Sequence, residues 1–146
     1  AVALLAIINQ LLAWIPHDGA TWSLQRILGL LLMPIAWLAG IPWAEASTAG
    51  ALLGTKTILN ELVAYIDLAR LPAESLSPRS RLIMTYALCG FANIGSLGIM
   101  VGGLTTMIPS RRQDILELAP KTLLSGTLAT LSCGAVVGFI DLLSHS

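Results

Sequence analysis

The stretch that decides the fold is Gly54-Thr-Lys-Thr-Ile-Leu-Asn-Glu-Leu-Val-Ala-Tyr65, which places the carboxamide of Asn60 beside the carboxylate of Glu61. Two short apolar arms, 46–55 and 62–68, flank its polar centre. The longer arm has ten residues, or ~15 Å of helix, which is half of a ~30 Å hydrocarbon core, and the other arm is shorter. Since neither arm can span a bilayer, residues 45–70 are predicted to form a re-entrant helical hairpin that enters and leaves by one face. Its turn must line a cavity or be buried in protein.

The composition places this hairpin in an integral membrane protein made of α-helices. Hydrophobic residues make up 55% of the 146 residues and charged residues 11%, with a mean hydropathy of +0.81. A soluble domain carries about 25% charged residues. The net charge is zero and no block of basic residues is present, so neither a nucleic-acid partner nor a polybasic lipid anchor is predicted.

No catalytic or metal-binding pattern accompanies the membrane signal. Cys89 and Cys133 lie in apolar runs without metal-ligand spacing and are predicted to be free packing residues. The sequence contains no Ser/His/Asp or Cys/His arrangement, no phosphate loop and no metal-ligand set. It therefore predicts neither an enzyme nor a bound cofactor.

The segments before the hairpin predict a span and an interfacial helix. Residues 1–17 are uncharged and nearly long enough to cross a bilayer, which favours the tail end of a spanning helix. Residues 22–44 are predicted to lie at or dip into the interface, because Pro34, Gly40 and Pro42 interrupt them. The absence of an initiator Met predicts that the chain is the C-terminal part of a longer protein.

The segments after the hairpin predict a broken helix and a last span. Residues 82–110 are uncharged and too long for one upright helix, and glycines cluster with Asn93 and Ser96 at their centre. A transmembrane helix that unwinds between Gly90 and Gly98 is therefore predicted, as in transporter binding sites. Residues 111–117 are predicted to be a charged connection, followed by a last spanning helix over 120–143 that starts near Pro120.

The polar residues at the hairpin tip and at the break are the candidate site, and each has a second interpretation. Glu61 is an ionisable group at membrane depth, which indicates function; alternatively, Asn60 caps a helix whose first turn holds Glu61. Asn93 and Ser96 are three residues apart and could bind one polar ligand; alternatively, they cap half-helices. Phe91 could stack on a planar ring or serve as packing.

Lys56 and three glycine pairs complete the features with a predicted role. Lys56 would neutralise a nearby carboxylate, neutralise hairpin carbonyls or reach the interface. The pairs have four-residue spacing, which allows close approach of membrane helices. They are Gly50 and Gly54, Gly98 and Gly102, and Gly134 and Gly138.

Several motifs in one order resemble the C-terminal part of the concentrative nucleoside transporter family. They are Asn60-Glu-Leu-Val-Ala-Tyr65 and Thr85-Tyr-Ala-Leu-Cys-Gly-Phe-Ala-Asn93, supported by Met33-Pro-Ile-Ala-Trp37, Gly40-Ile-Pro-Trp43 and Pro109-Ser-Arg-Arg112. The resemblance covers nearly the whole chain. One departure is Leu62, where the family often has Phe.

The resemblance implies an ion-coupled secondary symporter of nucleosides, driven by Na+ or H+, in the inner (cytoplasmic) membrane of a bacterium. It implies a homotrimer in the lipid bilayer, built from two inverted repeats that each contribute a re-entrant hairpin and a broken helix. This chain would be the second repeat. The first repeat, in a missing N-terminal part, would recognise the base and hold the main ion site.

The resemblance also assigns the site residues. Glu61, Asn93 and Ser96 would hold the ribose, Phe91 would lie near the nucleoside, and Asn60 belongs to the same substrate site. Two other functions are compatible with the residues alone: an ion-coupled carrier of another small polar solute, and a truncated membrane scaffold that transports nothing.

Overall fold

The computed structural model describes residues 2–14 and 22–144, and within them the chain is helical with no β-strand. Seven α-helices follow one another: α1 Val2–Leu12, α2 Leu24–Leu38, α3 Trp43–Ile58, α4 Glu61–Arg70, α5 Pro78–Ala87, α6 Ile94–Met107 and α7 Arg112–Ser144. Short 3-10 turns at Ala73–Ser75 and Pro109–Arg111 precede α5 and α7. Of the predicted span 1–17, residues 1 and 15–17 lie outside the described residues.

Helices α3 and α4 pack against each other and are separated only by Leu59 and Asn60. The first arm differs from the prediction, because α3 has 16 residues, or ~24 Å, rather than the short run 46–55. Glu45 extends it at one end, where an acidic residue suits the first turn of a helix. Lys56 extends it at the other end, because its charged group finds acceptors elsewhere in the protein.

The prolines interrupt less than the sequence predicts. Helix α2 continues through Pro34 to Leu38, on an exposed part of its surface, and the chain turns instead at Gly40, where φ is +99°. The segment 22–44, which was predicted to form one interfacial helix, is therefore not a single helix, since α3 has already begun at its C-terminal end. A proline inside a helix removes one backbone hydrogen bond, and α2 continues for four residues beyond Pro34 without it.

Helix α7 likewise starts at Arg112 and not near Pro120, so the predicted charged connection over residues 111–117 is wrong. The charges predicted to break the helix are spaced to stabilise it. Arg111 pairs with Asp114 at 2.6 Å, three residues on, and Lys121 pairs with Glu117 at 3.2 Å, four residues away. Pairs at these spacings lie on one helix face.

The helical path is interrupted between Ala87 and Ile94, and we call residues 88–93 the break. It lies earlier than the predicted unwinding between Gly90 and Gly98, because α6 already contains the second of these glycines. Asn93 determines where α6 starts, since its side chain caps that helix. The first half of the interrupted segment begins at Pro78, four residues before the predicted Leu82, because Ser77 caps α5.

Two close helix contacts position these elements. A Cβ added to Gly50 of α3 would overlap the carbonyl oxygen of Gly29 in α2, and a Cβ on Gly134 of α7 would lie 2.8 Å from the Ile83 carbonyl oxygen of α5. By contrast, an added Cβ at Gly98 or Gly102 meets no atom within 4 Å. The core thus forms where α2 meets α3 and α5 meets α7. Its buried members include Ala36, Ile41, Ala46, Ala49, Leu52, Leu53, Ala64, Ile83, Met84, Ala87 and Leu88.

Among the described residues, one helical segment, Pro109–Ser144, is long and apolar enough to cross a membrane by length and composition. The apolar helices α2 and α6 are shorter.

Candidate functional site

The tip of the α3–α4 pair is shaped by Asn60. Its backbone is extended, with φ −168° and ψ 174°, and its Oδ1 accepts a hydrogen bond of 2.9 Å from the backbone N–H of Val63. This bond satisfies one of the free donors at the start of α4. Asn60 therefore caps α4, as the second interpretation of the sequence predicts.

Glu61 opens α4 and carries an unsatisfied acceptor. Its Oε2 is buried and has no hydrogen-bond partner within the described part of the chain. No salt bridge within 4.0 Å joins it to a described cation. Because a buried oxygen without a donor is costly, Glu61 is ready to accept a hydrogen bond from a ligand.

Asn93 holds the break in shape. Its side chain is 2% exposed; Oδ1 accepts from the Ser96 backbone N–H at 2.7 Å and Nδ2 donates to the Phe91 carbonyl oxygen at 3.1 Å. A carboxamide can make about four hydrogen bonds, so one N–H and one lone pair remain for a ligand. The Ser96 hydroxyl makes no hydrogen bond to another described residue.

The tip and the break lie next to each other. A Cβ added to Gly95 would be 3.8 Å from the Leu59 carbonyl oxygen of the tip and 3.3 Å from Asn93 Oδ1. Phe91, Asn93 and Ser96 line one shallow cavity of about 220 Å³, together with Ala92, Leu97, Met100, Thr122 and Leu123. Glu61 does not line this cavity. The predicted site is thus two neighbouring parts: an acceptor at the tip, and a mostly apolar recess at the break that contains Asn93 and Ser96. Phe91 belongs to the lining of this recess and is 75% exposed.

Lys56 connects the tip to the break. The sequence predicts that it neutralises a nearby carboxylate, neutralises hairpin carbonyls or reaches the interface. Its Nζ donates to the Ala87 carbonyl oxygen at 3.0 Å and to Thr130 Oγ1 at 2.9 Å, and the residue is 1% exposed. It therefore binds a carbonyl at the C-terminus of α5, not one in the hairpin. Thr130 lies 74 residues further along the chain, and no local signal distinguishes it from the other hydroxyl residues of α7.

Two further side chains fix α4 against its neighbours. The Tyr65 hydroxyl donates to the Thr85 carbonyl oxygen of α5 at 2.6 Å. The Arg81 guanidinium donates to the carbonyl oxygens of Leu68, Leu71 and Pro72 at 3.2, 3.0 and 2.7 Å. A cation at a helix C-terminus is favourable, so Arg81 stabilises the far end of α4 while Asn60 caps its start.

No metal centre is found in the described ranges: no group of three or more His, Cys, Asp or Glu side chains there could hold an ion. The chemistry that these residues offer is hydrogen bonding to a polar solute.

Comparison with known proteins links this arrangement to transport. The family model "Na+ dependent nucleoside transporter C-terminus" matches residues 1–138. Human solute carrier family 28 member 3 is 39% identical over 96% of the chain, and the nucleoside permease NupC of Helicobacter pylori is 42% identical over 84%. The chain spans only 23% and 31% of those two proteins.

Solved structures agree with this match. CNTnw in an inward-facing, substrate-bound state has a TM-score of 0.85 at 41% identity, and the alignment covers 99% of this chain and 36% of CNTnw. An outward-facing CNTnw variant has a TM-score of 0.83, also at 41% identity, over 98% of this chain and 36% of the variant. The helical arrangement described above is therefore that of a membrane transporter.

Proposed function

Because this chain belongs to the family of Na+ dependent nucleoside transporters, we propose that the full-length protein carries nucleosides across a bacterial inner membrane by ion-coupled symport. The coupling ion is Na+ or H+. The family consists of transporters and not enzymes. This chain supplies the second of two inverted repeats; the N-terminal part supplies the first repeat and the main ion site, and three copies assemble in the bilayer.

The observation that carries the proposal is the buried, unpartnered Oε2 of Glu61 at the start of α4. Ribose hydroxyls are donors, and a desolvated carboxylate forms strong, charge-assisted hydrogen bonds with them. Glu61 lies in the first turn of α4, where the positive end of the helix dipole favours an acidic side chain. Glu61 is thus the principal ribose ligand.

The recess at the break supplies the remaining contacts. The Ser96 hydroxyl and the unused N–H and lone pair of Asn93 hydrogen-bond the sugar, and Phe91 packs against the nucleoside. Asn60 keeps Glu61 at the tip through its cap to Val63. Since Glu61 does not line the recess itself, the nucleoside bridges the tip and the break, and the N-terminal part completes the pocket around the base.

In the membrane, α3 and α4 form a re-entrant hairpin over residues 45–70, and α5 and α6 form one transmembrane helix with a central break. Helix α1 is the end of a spanning segment, residues 120–143 of α7 span the bilayer, and the segment 22–44 lies at the interface. The similar match to inward-facing and outward-facing structures supports a chain that keeps its internal arrangement while the transporter changes state.

The test compares nucleoside binding by full-length wild type and Glu61→Gln. The variant keeps the shape and one oxygen but removes the charge, so the affinity for a ribonucleoside should fall about ten- to hundredfold, the equivalent of ~1.5–3 kcal/mol. For an analogue that lacks the hydroxyl bonded by Glu61, the affinity should fall less between wild type and Glu61→Gln. Glu117→Gln on the exposed surface of α7 is the matched control and should bind like wild type.

Equal, near-wild-type binding of both ligands by Glu61→Gln would reduce Glu61 to a helix-capping residue. A wild-type protein that binds no nucleoside, but takes up another polar solute with an ion, would replace the substrate class. A folded protein that transports no solute would indicate a scaffold.

A further inference from the structure

Lys56 places a buried ammonium group at the junction of three elements. It extends from the last turn of α3, its Nζ binds the Ala87 carbonyl oxygen where α5 ends, and it binds the Thr130 hydroxyl of α7. A Cβ added to Gly90 in the break would lie 3.6 Å from this Nζ and would overlap Thr130 Cγ2. The ammonium group therefore lies directly against the break.

The partners of this ammonium are neutral oxygens. Among the described residues, no carboxylate lies within 4.0 Å of Nζ, so its burial is not offset by a direct ion pair. A buried cation is expensive unless it is well coordinated. Two features lower that cost here: the Ala87 carbonyl belongs to the negative end of the α5 dipole, and Thr130 contributes a hydroxyl oxygen.

These are the ligands that ion-coupled carriers offer to a free cation. In such proteins the C-terminal end of a half-helix and nearby freed carbonyls coordinate Na+ or H+ at the point where a transmembrane helix is broken. In this chain the carbonyl oxygen of Ala87 and the hydroxyl of Thr130 bind Lys56 instead, and its ammonium group is covalently attached to α3.

We infer that Lys56 is a tethered internal cation, which occupies the position of a dissociable ion at the break of this repeat and holds the hairpin tip against it. The inference rests on the proposed function and extends it to ion use. Because the ammonium cannot leave, this repeat contributes no transported ion, and the tip that carries Glu61 stays positioned beside Asn93. Lys56 is a positioning residue and not a ligand of the nucleoside.

The test is chemical rescue of nucleoside binding in the full-length protein, with Na+ held constant. Lys56→Ala removes the cation and leaves space for a small one, so affinity should fall about ten- to hundredfold, and added methylammonium should recover a several-fold part of the loss. Lys56→Met fills the space without a charge and should be equally weak and not rescued. Lys121→Ala removes an exposed lysine and should resemble wild type with or without methylammonium.

Two outcomes would overturn the inference while the proposed function stands: wild-type affinity in Lys56→Ala, or equal weakness of both Lys56 variants with no effect of methylammonium. If the wild-type protein binds no nucleoside, both the inference and the proposed function are overturned. If Lys56→Ala does not fold, two substitutions of Thr130 test the inference instead. Thr130→Val removes the acceptor at nearly constant shape and should weaken binding several-fold, whereas Thr130→Ser keeps it; wild-type binding by Thr130→Val would overturn the inference.

Discussion

At the scale of single residues, Asn93 combines two roles that substitution can separate. Asn93→Ala removes the cap of α6 and the donor to Phe91, so the free energy of unfolding should fall by about 1 kcal/mol or more. Asn93→Ser keeps a capping oxygen and should recover most of that stability. It lacks the amide N–H proposed for the sugar, so nucleoside affinity should stay low.

Thermal unfolding and nucleoside binding of the full-length variants measure the two roles side by side. Recovery of wild-type affinity in Asn93→Ser would show that Asn93 only caps α6 and does not bind the sugar.

The sequence predicts the local helix caps of the candidate site but not its long-range contacts. Asn60 and Asn93 carry cap signals that can be read locally, and the structure shows both caps. The contact of Lys56 with Thr130 joins residues 74 positions apart and depends on how α3, α5 and α7 pack. Local spacing contains no information about such a contact, which is why the sequence left three roles open for Lys56.

At the scale of elements, the contact between α2 and α3 is limited by the backbone at Gly50. Its added Cβ would overlap the Gly29 carbonyl oxygen, and a backbone atom cannot move aside as a flexible side chain can. We expect Gly50→Ala to lower the free energy of unfolding by about 1–3 kcal/mol, despite the better helix propensity of alanine. Thermal unfolding of the full-length protein measures the change.

Ser47→Ala, on the exposed side of the same helix, is the control and should change stability by less than about 0.5 kcal/mol. Unchanged stability in Gly50→Ala would mean that the two helices separate at little cost.

Distant contacts decide whether a local signal in the sequence affects helix packing and helix bounds. Three glycine pairs have one spacing, yet Gly50 and Gly134 meet neighbouring backbone whereas Gly98 and Gly102 meet no atom within 4 Å. Pro34 predicts an interruption and Pro120 predicts a helix start, yet both lie inside continuous helices, α2 and α7. The helical class and the order of elements can thus be predicted from hydropathy. Hydropathy does not predict which glycine pairs form close helix contacts or which prolines lie inside a helix.

At the scale of the whole molecule, the chain presents an open side at α6. None of the described residues of this helix is buried except its cap, Asn93. The chain spans 36% of CNTnw, so most of CNTnw has no counterpart in it. A site that is shallow in the chain alone is expected to close only in the full-length protein, where a ligand can restrict access to the break.

Cys89 reports that access, because it is exposed within the break, and Cys133 is an exposed reference thiol in α7. In full-length Cys133→Ser, nucleoside at ten times its Kd should slow maleimide labelling of Cys89 about tenfold, since only about a tenth of the sites stay free. In Cys89→Ser, labelling of Cys133 should keep its rate. Any other cysteine of the full-length protein is replaced in both variants, and mass spectrometry of the labelled peptides gives both rates. Equal slowing of the two thiols would indicate a general change in the protein, and unchanged labelling of Cys89 would place the nucleoside away from the break.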